Sequence, residues 1–325
     1  METKEYKIIA DGAADLGAQG ARDNDVDVVP FYVSFDNETY RKEIVEVDIR
    51  EFYQKMIDYP KVFPKTSMPS VQDYIDAFEP YAKAGIPVIC ICITAKFSGS
   101  YQSAVTAAGM IQEDYPAAVI TVIDSTLNTV LEGMFVREAA RMKKDGLSYE
   151  DTVERLLQMR ETGRILFTVG GMSYLVHGGR VGKLMGLAAS TLNIRPLITM
   201  KDGEIFPSGI ARSRKKSRDK VLDLICTHFR ESGEQAEQYA VNIGYGYDYE
   251  EAATFREQVA RSLAACAAQQ GQNAQTDADW KEKLEIHQIG ATVGVHTGPY
   301  PIGVGILKKY EYILCNSSDH VLHIG

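Results

Sequence analysis

The sequence predicts an α/β protein of two domains: a parallel-sheet α/β/α domain over residues 1–165 and, over 166–325, an α/β domain whose mixed sheet is covered by helices. Three observations predict it. The chain has 325 residues, 45% hydrophobic and 24% charged, a profile that suits a globular protein with two cores. Its first half alternates strand-like and helix-like segments, the signature of a parallel sheet with helices on both faces. After about residue 165 the texture changes to strand-rich segments and a hairpin.

The strands of the first half are "YKIIAD" (6–11), "VDVVPFYVSF" (26–35), "PVICICIT" (87–94) and "AVITVIDS" (118–125). Between and after them, helical periodicity marks "DIREFYQKMID", "SVQDYIDAFEPYAKAG", "SYQSAVTAAGMIQEDY", "TVLEGMFVREAARMKKDG" and "SYEDTVERLLQMRETG". Ser70 with Asp73 three residues on reads as a capping box. In the second half "ILFTVGG", "IRPLITMKDGEIFPSG" and "YAVNIGYG" read as strands, with Lys201–Glu204 as a hairpin turn. Two helices, "SRDKVLDLICTHFRESG" and "YEEAATFREQVARSLAACAAQ", follow, and "HQIGATVGVHTG" and "GVGILKKY" read as closing strands. "QQGQNAQTDADW" (269–280) is polar and reads as an exposed loop.

A net charge of −9 and a pI near 5.3 argue against nucleic acid as a partner, because phosphate backbones select a positive field. No apolar run reaches the ~20 residues a membrane-spanning helix needs. The opening "METKEYKIIADGAADL" has no secretory pattern, so a cytoplasmic location is expected. Five cysteines, two of them Cys90 and Cys92, give neither a disulfide framework nor a zinc spacing, and read as small core residues.

In open parallel sheets, ligands sit at the carboxyl ends of strands, where Asp11, Ser98, Asp124 and Ser125 fall. "ITAKFSGSYQSA" (93–104) places Ser98, Gly99 and Ser100 where a strand gives way to a helix. Helix capping explains them; so does a small anion held by hydroxyls, free N–H groups and the helix dipole. Thr66 and Ser67, upstream of the capping box, are turn formers or ligand contacts. "HGGRVGKLMG" (177–186) fails as a nucleotide phosphate loop, having one residue too few between the glycines and Leu184 where Ser or Thr is needed. What remains is Arg180 and Lys183 in a glycine-flanked loop. His296 is a packed histidine or a cleft residue, and Ser98 with His296 is the alternative of a stand-alone serine hydrolase or acyltransferase, although no G-x-S-x-G elbow is present. Arg212, Arg214, Lys215, Lys216 and Arg218 form a solvated basic face or a docking patch.

Taken together, "TSMPS", "TAKFSGSYQSA", "VIDS", "GGMSYLVHGGRVGK", "LNIRPLITMKDGEI" with "ARSRKK", and "GATVGVHTGPYPIGVGI" resemble the DegV family over nearly the whole chain, in order. Characterised members of that family are bacterial fatty-acid-binding subunits of a fatty acid kinase. The resemblance implies a long-chain fatty acid in a tunnel between the domains, no other cofactor and no metal. It also implies a separate kinase that converts the carboxyl group to an acyl phosphate for phospholipid synthesis, so that this chain is not catalytic alone. Transient membrane contact fits that role and stable insertion does not. The family's carboxylate contacts fall on Thr66, Ser98, Arg180 and His296, with Ser67 and Gly99 beside them, and Arg212, Arg214, Lys215 and Lys216 become the candidate docking surface. Two departures bear on the ligand: Asp11 is followed by Gly12 where the family often has Ser, and "TLNTVLEG", containing Leu127, replaces a glycine-rich continuation after Ser125. Another amphiphilic acid is the alternative ligand they leave open.

Overall fold

A computed structural model describes residues 5–188, 194–269 and 276–313. In chain order the first half runs β1 (Lys7–Asp11), α1 (Gly17–Asp23), β2 (Val26–Val29), β3 (Tyr32–Ser34), β4 (Arg41–Lys42), α2 (Ile49–Asp58), β5 (Lys65–Ser67), α3 (Val71–Ala84), β6 (Val88–Cys92), α4 (Ser100–Asp114), β7 (Ile120–Asp124), α5 (Thr129–Lys144) and α6 (Tyr149–Met159). The second half runs β8 (Arg164–Thr168), α7 (Ser173–His177), α8 (Met185–Ala188), β9 (Arg195–Lys201), β10 (Glu204–Ala211), α9 (Arg214–Ser232), β11 (Tyr239–Tyr245), α10 (Tyr249–Gln269), α11 (Asp277–Lys283), β12 (Ile286–Gln288), α12 (Ala291–Thr297) and β13 (Ile302–Lys308).

The α/β reading holds: a parallel sheet in the order β2-β1-β6-β7 is followed by a six-stranded mixed sheet, β10-β9-β8-β13-β11-β12. Every residue of β6 is buried, which is why "VICIC" is an unbroken apolar run rather than an alternation. The Ser70–Asp73 capping box forms as its sequence implies, and α3 ends at Gly85, whose φ of 67° suits a residue without Cβ. Asp202 and Gly203, both at positive φ, make the hairpin turn between β9 and β10.

Four expectations need correction. The run 26–35 is not one strand: Pro30, which cannot donate a ladder hydrogen bond, separates β2 of the parallel sheet from β3 of a small antiparallel sheet, β4-β3-β5. The segment "ATVGVHT" is helix α12, not strand; all its residues but His296 are buried, so no polar face betrays the helical period. "TDADW" opens helix α11 behind a second capping box, Thr276 with Asp279, and buries Trp280; residues 270–275 lie outside the described segments. Cys226 and Cys266 are joined by a disulfide because α9 and α10 pack as neighbours and bring their Cα atoms to 5.7 Å. Cys90 and Cys92 are buried and free as expected, and Cys315 lies outside the described residues.

Helix α5 ties the halves together. It packs against β1 on one side and against β11 and β13 on the other, and nearly every residue from Thr129 to Ala139 is buried. The mixed sheet is therefore covered by α9 and α10 on one face and by a helix of the first half on the other. The β9–β10 turn returns the contact, its Gly203 carbonyl accepting from Thr94 Oγ1 at 3.1 Å.

Behind this core lie four buried carboxyl groups, Asp11, Asp15, Glu43 and Glu132, none of which forms an ion pair among the described residues. Burial raises Asp11 to about 6 and Glu43 to about 7, and raises Asp15 and Glu132 well above their ordinary values. The folded protein thus holds protons that the unfolded chain releases at ordinary carboxyl values of 3.8 and 4.5. Their favourable contribution is complete below those values and is lost as pH rises through the folded ones. His228 and His296, both lowered from 6.5, pull the other way only on the acid side of that value. The melting temperature is therefore predicted to fall as pH rises from about 6.5 through about 7, and Glu43→Gln to flatten that slope. Identical slopes in scanning calorimetry of the two proteins would contradict the assignment.

Candidate functional site

The polar end of the site begins at β5. Its antiparallel pairing with β3 sets Val33 opposite Thr66, and strand alternation leaves Thr66 half-buried while Lys65 and Ser67 point outward. Ser67 is thus excluded from the cavity that Thr66 lines, a correction to the sequence reading with a purely geometric cause.

The turn from β6 to α4 is stitched by Asp11, whose Oδ2 accepts from Ile93 N at 3.0 Å and from Ser100 Oγ at 2.7 Å. Ser100 also contacts Tyr74 Oη at 2.6 Å and is consumed by the fold. Ser98 accepts from Ser100 N at 3.2 Å, while the N-cap itself is Gly99, with no side-chain capping bond. The Ser98 oxygen therefore fixes the turn without being the helix N-cap, and the residue also lines the cavity. Asp124 and Ser125, also at a strand end, accept backbone N–H groups of their own loop and of Ala95 and do not line it.

Arg180 follows the short helix α7 and reaches back across the halves. Its Nε donates to the Phe97 carbonyl at 3.1 Å and its Nη1 to Gly178 O at 2.7 Å, which orients the guanidinium at the cavity mouth. Lys183 instead pairs with Glu204 at 2.9 Å, outside the site.

His296 sits near the end of α12, and the amino end of that helix is held by the first half. Glu43 accepts from Thr292 N at 3.1 Å and from the Thr292 hydroxyl, Tyr53 Oη donates to Ile289 O at 2.9 Å, and Asp15 lies against Gly290. So placed, His296 Nε2 lies 3.4 Å from Thr66 Oγ1. Burial, and then the nearby Arg180 charge, lower its pKa to about 4, so the ring is neutral at pH 7. Its Nδ1 is buried with no partner among the described residues. Among the described residues no hydrogen bond joins His296 to Ser98 and no carboxylate contacts the His296 ring, so they do not assemble the chain of nucleophile, base and orienter that a hydrolase uses.

Thr66, Ser98, Gly99, Arg180 and His296 line one cavity of about 140 Å³, walled further in by Phe31, Ile93, Phe97 and Leu175. Beside it, between α5 and the mixed sheet, lies an apolar slot of about 40 Å³ bordered by Val130, Leu131, Ile165, Met200 and Val304. Phe167, Ile205, Val293, Thr297 and Asn128 border both spaces. Sequence reasoning missed these junction residues because an apolar residue lining a slot has the same pattern as one filling a core.

The basic run at the start of α9 is divided. Arg214 is bound to Glu251 through Nε at 2.8 Å and Nη2 at 2.5 Å, and to Tyr300 O at 2.9 Å; Arg218 also meets Glu251, at 3.2 Å. Arg212, Lys215 and Lys216 are exposed. Arg214 is thus a brace between α9, α10 and the segment after α12, which corrects its place in the docking surface.

The family model described as "Uncharacterised protein, DegV family" matches residues 5–309. A DegV domain-containing protein of Halalkalibacterium halodurans is 30% identical over 298 residues, covering 91% of this chain and 96% of the relative. Among solved structures, a stearic acid-binding protein from Eubacterium ventriosum is similar with a TM-score of 0.84 and 42% identity, covering 94% of this chain and 99% of that one. A DegV family protein from Thermus thermophilus, described by its fatty acid binding, has a TM-score of 0.78 at 26% identity, with 94% and 99% covered.

Two glycines of the site predict opposite outcomes. A Cβ at Gly178 overlaps the His296 ring, which α12 holds in place, whereas a Cβ at Gly99 meets only the thioether of the exposed Met68. Gly178→Ala should cost about 1–3 kcal/mol in chemical denaturation, as overpacking does, and Gly99→Ala less than about 1 kcal/mol. Equal costs would show that the His296 ring is not fixed against Gly178.

Proposed function

The chain belongs to the DegV family, and from that premise we propose that it binds a long-chain fatty acid between its two halves, residues 1–165 and 166–325, and presents the carboxyl group at its surface. The observation that carries this reading is that a hydroxyl- and guanidinium-lined mouth and an apolar slot lined from both halves lie side by side and share five lining residues.

The energetics suit that division of labour. Burying ~14 methylenes at ~0.8 kcal/mol each supplies on the order of 11 kcal/mol before ordering costs, so the tail carries affinity. A carboxylate withdrawn from water without partners takes up a proton; Thr66 and Ser98 hydroxyls and the Arg180 guanidinium are the donors that keep it ionised. A neutral His296 accepts or donates one further hydrogen bond without competing as a charge. The slot is slender, so seating an alkyl chain spreads the side chains around it and ligand binding should raise stability markedly.

The mouth opens at the surface beside Arg180, which suits transfer of the carboxyl group to an ATP-dependent kinase on another chain and formation of an acyl phosphate for phospholipid synthesis. Arg212, Lys215 and Lys216 are the free charges of the docking face, with Arg214 holding their helix in place. In this reading the chain is a lipid-binding subunit, not an enzyme by itself, and works in the cytoplasm with no cofactor beyond the lipid. No helix among the described residues is long and apolar enough to cross a membrane. The Cys226–Cys266 disulfide is a feature that a reducing compartment opposes.

Native mass spectrometry of gently purified protein should show one co-purified long-chain fatty acid, and Arg180→Ala with Ser98→Ala should weaken palmitate or oleate binding about tenfold or more, the worth of charge-assisted hydrogen bonds. A chain that stays empty with both acids contradicts the proposal, and a different bound amphiphile would replace the fatty acid. Changing Arg212, Lys215 and Lys216 to Glu should lower kinase-dependent phosphorylation and leave the bound lipid in place. Loss of the lipid would place those residues in the ligand site instead.

A further inference from the structure

The loop between β7 and α5 carries a polar group that neither the fold nor the carboxylate end of the cavity uses. Asn128 stands at the junction, bordering both the polar cavity and the apolar slot. Asn is among the best N-caps, and Asn128 is the N-cap of α5, yet its side chain makes no capping bond. Its Oδ1 is buried and has no partner among the described residues. On either side, Thr126 and Thr129 adopt φ values of 56° and 48°, a left-handed conformation costly for β-branched residues. That conformation is pinned: Thr126 N donates to Asp124 Oδ1 at 2.9 Å and the Thr129 hydroxyl donates to Asp15. A strained loop is thus held so that a carboxamide, rather than an apolar side chain, meets the middle of the ligand path.

An alkyl chain passing this point leaves Oδ1 unpaired, which is unfavourable for a buried acceptor. Water is a poor substitute, since it needs two or more polar partners. The other junction residues are Phe167, Ile205, Val293 and Thr297, and the Thr297 hydroxyl already contacts the carbonyls of Val293 and Gly298. A hydroxyl on the ligand answers the requirement, donating to Oδ1 and accepting from Nδ2. We propose that the preferred ligands are long-chain fatty acids hydroxylated part-way along the chain, with Asn128 as the residue that selects the hydroxyl. This inference rests on the fatty-acid reading of the cavity.

The test titrates stearate, 10-hydroxystearate and 12-hydroxystearate into delipidated full-length protein and its Asn128→Leu and Asn128→Ala variants, each checked for a wild-type melting profile. The wild type should bind one hydroxystearate about tenfold tighter than stearate, since a site built around a hydroxyl discriminates against its absence. The variants should lose that preference and bind stearate at least as well as the wild type. Stearate bound as tightly as both hydroxy acids overturns the inference and leaves the fatty-acid reading standing, as does a preference that survives in both variants. Failure of all three acids to bind the wild type overturns both.

Discussion

The structure depends on the grip that the first half of the chain takes on the amino end of α12. Glu43 and Tyr53 come from separate segments of the first half and hold the backbone at Thr292 and Ile289, while Asp15, from a third, packs against Gly290. The exposed N–H groups at a helix start are natural partners for carboxylates, but here both partners are buried, so the contact exists only if the two halves close upon each other. Removing either side would leave a buried acid or an uncapped helix, and that coupling makes the arrangement all-or-none.

From that grip the functional geometry follows. Helix α12 carries His296 to Thr66, Val293 to the wall of the slot and Thr297 to its junction. Helix α5, anchored through Thr129 to the same Asp15, supplies the opposite wall. Arg180 completes the mouth by reaching back to the Phe97 carbonyl of the first half. A slot walled by elements of both halves can admit a ligand wherever their packing yields, which suits a cargo that must enter, be held by its tail and be offered by its head.

How much of this was legible in the sequence depended on whether the signal was local. The Ser70–Asp73 box, the Asp202–Gly203 turn and the unbroken β6 run are local, and each took its predicted form. The gathering of Thr66, Ser98, Arg180 and His296 was reached through motif resemblance, because nothing in their spacing brings four distant segments together. Ser67 was misplaced by its proximity to Thr66, since strand alternation turns neighbours to opposite sides. Helix α12 was read as a strand because burial all round erases the amphipathic period, and its stabilising partner Glu43 lies 249 residues from Thr292. The Cys226–Cys266 bond was hidden for a similar reason: a separation of 40 residues becomes proximity only once two helices share one sheet face.

The central claim is that a fatty acid carboxylate rests ionised among the hydroxyls and guanidinium at the mouth while its tail is enclosed. Titration of carboxyl-¹³C palmitate bound to the protein, followed by NMR, tests that claim most directly. A single bound resonance that remains ionised at pH values where free fatty acid is already protonated is the predicted result. A label that titrates like the free acid, or protonates at higher pH than it does, would mean that the head group sits elsewhere and that the site has been misread.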